Sequence, residues 1–288
     1  MNANVTAIVT AYRRIDQTLT TIANILSCNP APAELIVHVD GGQADCANAI
    51  QQAFPGVRLL RSDHHLGPGG GRDLLVTAST RELVASFDDD AFPIDPDYFA
   101  KAVAIFERYP DASVVAPRLF ARGEDPVAPD DSARWVADYV GAACLFRRGD
   151  FLAAGGYVPI PIAYGMEEAD LALRLFARGR RVLESGQLRA RHDTLLEHHV
   201  SDAVTAATIA NLALLAYLRY PVWLWGLGAA QCARRIAWLI RHDRWTGIGK
   251  GLASIPATAR RYRAYRDRLT AAQIMGYLRL RRHPEAAA

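Results

Sequence analysis

Strand-like and helix-like periodicities alternate three times within the first 60 residues, and that alternation restricts the fold more than any other feature of the chain. Val5-Thr6-Ala7-Ile8-Val9-Thr10 is a short, β-rich apolar run. Arg13 and Arg14 follow, and then Ile15, Leu19, Ile22, Ile25 and Leu26 recur on a helical rhythm. Residues 35–40 (LIVHVD) form a second run ending in Asp40-Gly41-Gly42, and residues 57–60 (VRLL) a third, after a helical stretch at 44–54. Three βα-type units predict an α/β fold: a mostly parallel sheet with helices on both faces. Such sheets bind ligands outside the carboxyl ends of their strands. Thr10, Asp40 and the cluster Asp88-Asp89-Asp90 all fall at such ends.

The acidic cluster closes the apolar run at residues 82–87. Adjacent carboxylates repel one another, so a bound cation gives the cluster a purpose. Asp88 and Asp90 can converge on one divalent ion while Asp89 points elsewhere; oxygen donors beside a phosphate-bearing ligand suit Mg²⁺ or Mn²⁺. A solvated acidic turn before Pro93 is the plainer account of the same residues.

Between the third and fourth strands lies HHLGPGGGRD at 64–73, followed by a helical segment expected at 74–80. Its glycines permit close backbone approach, and the helix start beyond them offers N–H groups to an anion. There is no GxGxxG or GK[ST]. Further on, residues 113–117 read as a strand, 121–131 as a loop and 139–146 as an apolar segment of small residues. The stretch 165–179 reads as a helix with Gly165 and Gly179 at its ends. Glu167, Glu168 and Asp170 occupy its first turn, a placement that helix-end electrostatics alone would favour. Residues 180–183 begin a last edge strand, with Arg191-His192-Asp193 after it.

Taken in order, these segments resemble the family 2 glycosyltransferases, inverting enzymes of the GT-A fold that use nucleotide-sugars, rhamnosyltransferase-like members among them. Thr10-Ala11-Tyr12-Arg13-Arg14 resembles the family's opening motif, and Val39-Asp40-Gly41-Gly42 its VDnGS element, with Gln43 in place of serine. The segment 66–72 resembles its glycine-rich stretch and Asp88-Asp89-Asp90 its DxD motif. Gly141-Ala142-Ala143 with Phe146-Arg147-Arg148 and Gly155-Gly156-Tyr157 resembles the acceptor-side pattern, and Glu167-Glu168-Ala169-Asp170-Leu171 resembles EDxDL. The resemblance covers residues 5–195.

The resemblance implies a donor site formed by Thr10, Tyr12, Arg13, Asp40, Gly67, Gly71, Arg72, Asp88 and Asp89. Asp40 would receive the N3–H of a uracil or thymine, which favours UDP- or dTDP-linked donors. Asp90, Asp88 and His192 would hold Mn²⁺ or Mg²⁺, with Asp193 as a candidate partner for His192. The general base would be Glu168 or Glu167, Glu168 standing where the family carries aspartate; Asp170 would orient the helix turn and the neighbouring loop.

Charge divides the chain unevenly: residues 1–200 carry 19 Lys+Arg against 26 Asp+Glu, and 201–288 carry 14 against 4. We therefore expect a GT-A catalytic domain over 1–200 and a basic, aromatic-rich helical extension over 201–288. Its apolar runs are interrupted by Arg219, Pro221, Arg234 and Arg235, so none has the length of a spanning helix. Trp and Tyr beside Arg suit a segment lying at an anionic membrane surface, with a glycan or lipid-linked acceptor. A cap on the catalytic domain, or a contact in a homo-oligomer, is the alternative. Tyr262, Tyr265 and Tyr277 among arginines would also suit nucleic acid, but that leaves the acidic centre unexplained, and no nucleic acid is expected. A soluble transferase acting on a small metabolite is the other alternative. Four cysteines without a CxxC pair, and a start lacking a basic-then-apolar leader, give the expectation of a cytoplasmic chain, peripheral at the inner face of the plasma membrane.

Overall fold

In the computed structural model, which describes residues 2–162, 164–194 and 201–287, a mixed sheet is packed between two layers of helices. The expected βα repeat opens the chain: β1 (Ala3–Ala11), α1 (Ile15–Leu26), β2 (Pro32–Val39), α2 (Ala44–Ala53), β3 (Arg58–Arg61), α3 (Gly67–Ala78) and β4 (Leu83–Asp88). These strands lie in the order β4-β1-β2-β3, all parallel. Strands buried on both faces need apolar residues at every position, which is why β1, β2 and β4 read as continuous runs. The register sets Thr10 opposite both His38 and Asp88, aligning the strand ends.

Beyond β4 the sheet is mixed rather than parallel. The chain continues through β5 (Ala91–Pro93), α4 (Tyr98–Arg108), β6 (Ala112–Ala121), β7 (Ala133–Val136), β8 (Ala143–Arg147), α5 (Arg148–Ala153), α6 (Glu167–Ala177) and β9 (Arg181–His192). Strand β8 runs antiparallel between β4 and β6. The expected edge strand at 180–183 is the start of β9, which is twelve residues long and internal, parallel to β6 and antiparallel to β7. A register irregularity at Pro117/Arg118 of β6 faces the polar stretch Ser185-Gly186-Gln187. That break hides the strand from a pattern search and lets it continue to His192.

The second expected correction is α3. The glycine turn is not a loop before the helix but the helix's own first turn, beginning at Gly67 with φ +76°. Each interior glycine costs a helix roughly 0.5–1 kcal/mol relative to alanine. Packing overrides this cost: a Cβ on Gly69 would lie 2.5 Å from Glu167 Oε2, and one on Gly71 2.7 Å from His38 Nδ1.

One face of the sheet is covered by α1, α2 and α4. The other is covered by α3, α5 and α6, together with the C-terminal helices α7 (Asp202–Arg219) and α10 (Ala271–Arg282). Leu214, Leu218, Ile274, Tyr277 and Leu280 share one core with Ile8, Val84, Phe146 and Leu171. Helix α8 (Trp225–Arg241) and α9 (Ile248–Arg261) pack on α7 and leave Trp223 73 % and Trp245 65 % exposed. Among the described residues no helix is long and apolar enough to cross a membrane. The boundary expected at residue 200 falls outside the described residues.

Candidate functional site

The three aspartates end β4 and turn into β5, whose Ala91 pairs with His192 at the end of β9. A hydrogen bond from Asp193 N to Asp90 O (2.8 Å) fixes that approach. As a result, ligand atoms of Asp88, Asp90 and His192 lie within 4.8 Å of one another. Among the described residues Asp90 Oδ1 is buried without a hydrogen-bond partner, and His192 Nε2 stands 3.5 Å from it. An orphaned carboxylate oxygen facing an imidazole and a second carboxylate is a divalent-cation site by its donor chemistry, suited to Mn²⁺ or Mg²⁺. Burial alone would lower the His192 imidazole, but Asp90 and Asp88 outweigh it and raise the pKa. Burial would raise Asp90; His192 and Arg14 hold it below its ordinary value.

Asp89 turns inward. Its Oδ2 accepts from Tyr12 N (3.1 Å), its carbonyl from Thr21 Oγ1 (3.0 Å), and its Oδ1 pairs with Arg14 Nη2 at 2.7 Å. Burial pushes its carboxyl up to about 7 against the pull of Arg14. Arg14 also binds Asp90, so it forks across the cluster. Arg13, the arginine expected at the donor site, instead lies over the Tyr12 ring with φ +65°. The sequence carries no signal separating two adjacent arginines; the positive φ at Arg13 turns only the second toward the aspartates.

On the other side, Arg72 of α3 is 2 % exposed and joins two acidic groups. Its Nη1 donates to Glu167 Oε1 (2.6 Å) and its Nη2 to Asp88 Oδ1 (2.5 Å) and Gly141 O (3.0 Å). Gly141 N in turn donates to Glu168 Oε1 at 3.3 Å, and Asp88 N to Ala142 O at 2.8 Å. The segment 141–142 therefore couples β4 to the first turn of α6. Glu167 is buried, and burial pushes it up to about 8 despite Arg72. Glu168 is half-buried and also raised, mainly by burial.

Thr10 Oγ1 reaches Asp88 Oδ1 only at 3.5 Å. Asp40 is occupied on both oxygens: Ser62 Oγ (2.9 Å) and Leu66 N (2.8 Å) donate to Oδ1, and Gly67 N (3.0 Å) and His65 Nδ1 (2.8 Å) meet Oδ2. Gly67 packs against the backbone at 160–161, and Gly71 against Thr10 and His38. Asp170 is fully buried, with Arg174 Nε on Oδ2 (2.9 Å) and Arg219 Nε on Oδ1 (2.5 Å). Asp193 does not back His192; its carboxylate takes both prongs of Arg122 at 2.7 and 2.8 Å.

A GT-A-like α/β fold with its acidic turn at the ends of β1 and β4 is the class this architecture defines. Solved structures of that kind superpose on it: GalNAc-T7 with UDP, GalNAc and Mn²⁺ (TM-score 0.61, 13 % identity, 77 % of this chain and 49 % of that one). Mannosyltransferase PcManGT from Pyrobaculum calidifontis, with GDP-Man and Mn²⁺, gives 0.58 at 14 % identity over 98 % of this chain and 88 % of that one, so the likeness extends through the C-terminal helices. TarS 1-349 of S. aureus with UDP-GlcNAc gives 0.59 at 12 % identity over 75 % and 66 %. Residues 6–152 match the family described as Glycosyl transferase family 2, and the chain belongs to that family. Succinoglycan biosynthesis protein ExoO of Rhizobium meliloti (strain 1021) is 34 % identical over 89 residues, 30 % of this chain and a quarter (25 %) of that protein's length.

Proposed function

We propose that the chain is a metal-dependent, inverting glycosyltransferase that moves a sugar from a nucleoside-diphosphate donor to a hydroxyl acceptor. The observation that carries this reading is the bridge through Arg72 and Gly141, which ties the cation cluster to Glu168. Asp88, Asp90 and His192 would hold the ion, which when bound supplies Lewis acidity and positive charge against the departing diphosphate. Glu168 takes the acceptor hydroxyl's proton: Gly141 N–H engages one of its oxygens, and burial raises its affinity for a proton. Glu167 is the weaker candidate, because Arg72 locks it inside. Base and leaving group on opposite faces of the sugar give inversion.

A uracil or thymine N3–H would replace His65 on Asp40. The two backbone donors there are fixed by the loop, whereas His65 reaches Asp40 through a side chain that is 41 % exposed and packed on the Tyr12 ring. UDP- or dTDP-linked hexoses, the rhamnosyl class among them, are therefore the favoured donors. Two of the three superposed structures name UDP or a UDP-sugar, and the third names GDP-Man. A panel of UDP-, dTDP- and GDP-sugars, scored by released nucleotide, tests the reading. Turnover should vanish in EDTA and return with Mn²⁺ or Mg²⁺; full activity in chelator, or no turnover with any donor, overturns it.

The acceptor we propose is a lipid-linked or growing cell-surface glycan, met with the chain lying peripherally on anionic membrane. Exposed Trp223, Trp225, Trp238 and Trp245 beside the arginines of α8 and α9 support this placement. Residues 201–288 share the catalytic core, so surface substitution is a fairer test than truncation. Protein should float with anionic liposomes, less at high salt and less as the Trp223→Ala/Trp245→Ala variant. Protein that stays unbound leaves a transferase acting on a small soluble acceptor.

A further inference from the structure

The C-terminal helices grip the segment that carries the proposed base, and the grip is polar and buried rather than merely apolar. Asp170 lies two residues beyond Glu168, and its N–H closes the first turn of α6 on Met166 O at 2.7 Å. Its carboxylate is 0 % exposed, and Arg219, at the end of α7 and 3 % exposed, holds both oxygens through Nε (2.5 Å) and Nη2 (3.1 Å). Arg219 Nη1 continues to Tyr265 O (3.0 Å), and its carbonyl accepts from Leu269 N (2.8 Å). Upstream, Asn211 of α7, 2 % exposed, donates to Ile162 O (2.8 Å) and Tyr164 O (3.1 Å), and Tyr262 Oη donates to Pro159 O (3.2 Å). On the far side of α6, Gln273 Nε2 donates to Ala177 O (2.9 Å), and Gly276 packs on Phe176.

We infer that Arg219 and Asn211 are positioning residues for the transfer step: α7 sets where the Glu168 carboxylate stands by fixing the approach segment and the first turn of α6. The inference rests on the proposed role of Glu168. Two buried side chains of α7 direct donors here, Arg219 two of its nitrogens at the Asp170 carboxylate and Asn211 its amide at the carbonyls of Ile162 and Tyr164. Apolar packing would hold α6 against the core while leaving it free to slide along its axis; a forked arginine on a buried carboxylate fixes the turn in register. A displacement of about 1 Å at a reacting group costs on the order of 10²-fold in rate, so slack here reaches the base directly and the donor side only through the Arg72 bridge. The donor side has its own supports in Arg14, Tyr12 and Thr21, none of them on α7.

The test uses full-length Arg219→Lys, Arg219→Met and Asn211→Leu. Three readouts are taken: folding by circular dichroism, Mn²⁺-dependent binding of UDP by calorimetry, and turnover of whichever donor in the UDP-, dTDP- and GDP-sugar panel the wild type consumes. The expected result is kcat down roughly 10- to 100-fold in Arg219→Met and Asn211→Leu. UDP·Mn²⁺ affinity should stay within about twofold, and Arg219→Lys should lie between, since it keeps the charge without the fork. Arg219→Lys and Asn211→Leu keep the test decisive if Arg219→Met does not fold. Folded variants with wild-type kcat, or variants whose UDP affinity and kcat fall in parallel, overturn the inference while leaving the proposed function standing. A wild type that turns over no donor removes the proposed function itself, and the positioning role with it.

Discussion

Asp90 and the pair Glu167–Glu168 are held in opposite electrostatic states, while Asp89, turned inward beside Asp90, is raised by burial as the glutamates are. At the end of β4, Asp90 keeps its charge: His192 and Arg14 hold it below its ordinary value although it is buried. At the start of α6, Glu167 and Glu168 sit above theirs, because burial dominates and the single arginine between them and Asp88 is shared. Both clusters are short runs of carboxylates at element ends, and the sequence writes them almost alike. What separates Asp90 from the glutamates is the number of cations within reach, Arg14 and His192 against Arg72. A carboxylate held ionised is suited to binding a metal, and one raised toward neutrality to taking a proton.

The sharpest way to break this division is at the proton-accepting side. Glu168→Gln should retain UDP·Mn²⁺ binding while kcat falls by roughly 10² to 10⁴, because in its proposed role the lost group acts as the acceptor is deprotonated. Glu167→Gln is the control: if it abolishes turnover and Glu168→Gln does not, the roles within the pair are reversed. At the metal side, Asp90→Ala should lose on the order of 10² or more in rate and should weaken Mn²⁺ binding measured directly by electron paramagnetic resonance. Unchanged Mn²⁺ affinity would remove Asp90 from the ligand set.

Much of this organisation was legible beforehand. The apolar runs of β1, β2 and β4 carried the parallel half, and the acidic residues at 88–90 and 167–168 stood out as candidates through their resemblance to family motifs. What escaped was everything decided at long range. Position cannot distinguish Arg13 from Arg14, since a backbone φ makes the choice. The glycines at 67–71 disfavour a helix by propensity, and at Gly69 and Gly71 the neighbours leave no room for a Cβ, a constraint set at long range. Asp40 looked free at a strand end, yet the loop at 62–67 occupies both its oxygens. Nor does the basic composition of 201–288 reveal that one of its arginines, Arg219, is buried on Asp170.

The bridge between the two clusters gives a stability prediction. Arg72→Met leaves Glu167 and Asp88 without their shared partner, and breaking a buried pair by deleting one member costs about 3–5 kcal/mol. The urea midpoint of the metal-free protein should fall accordingly, and more at pH 8.5 than at pH 6.5, because Glu167, near 8 beside Arg72, ionises against it at the higher pH, whereas at the lower pH it is protonated with or without the arginine. A midpoint that does not move would mean the clusters are held independently.

The smallest effect reads the same division through pH. Asp73, on α3 beside the base-side turn, accepts one bond from Tyr157 N (2.8 Å), and burial pushes it up to about 7. Its unfolded value is roughly 3.9, so between about 4 and 7 the folded chain binds the extra proton. The contribution of Asp73 is therefore fully present below the unfolded value and is lost as pH rises through 7. Asp90, whose folded value is depressed, has the opposite sign: it stabilises above its unfolded value and loses that contribution in acid. Asp73→Asn keeps an acceptor for Tyr157 N–H and removes the titration. Measured by urea denaturation in EDTA, the variant and the wild type should converge near pH 4, and the variant should gain on the wild type as the pH is raised to 8. A constant difference across that range would mean that Asp73 is already ionised in the folded chain, and that Arg174 beside it has offset burial on this side of the site as Arg14 and His192 do on the other.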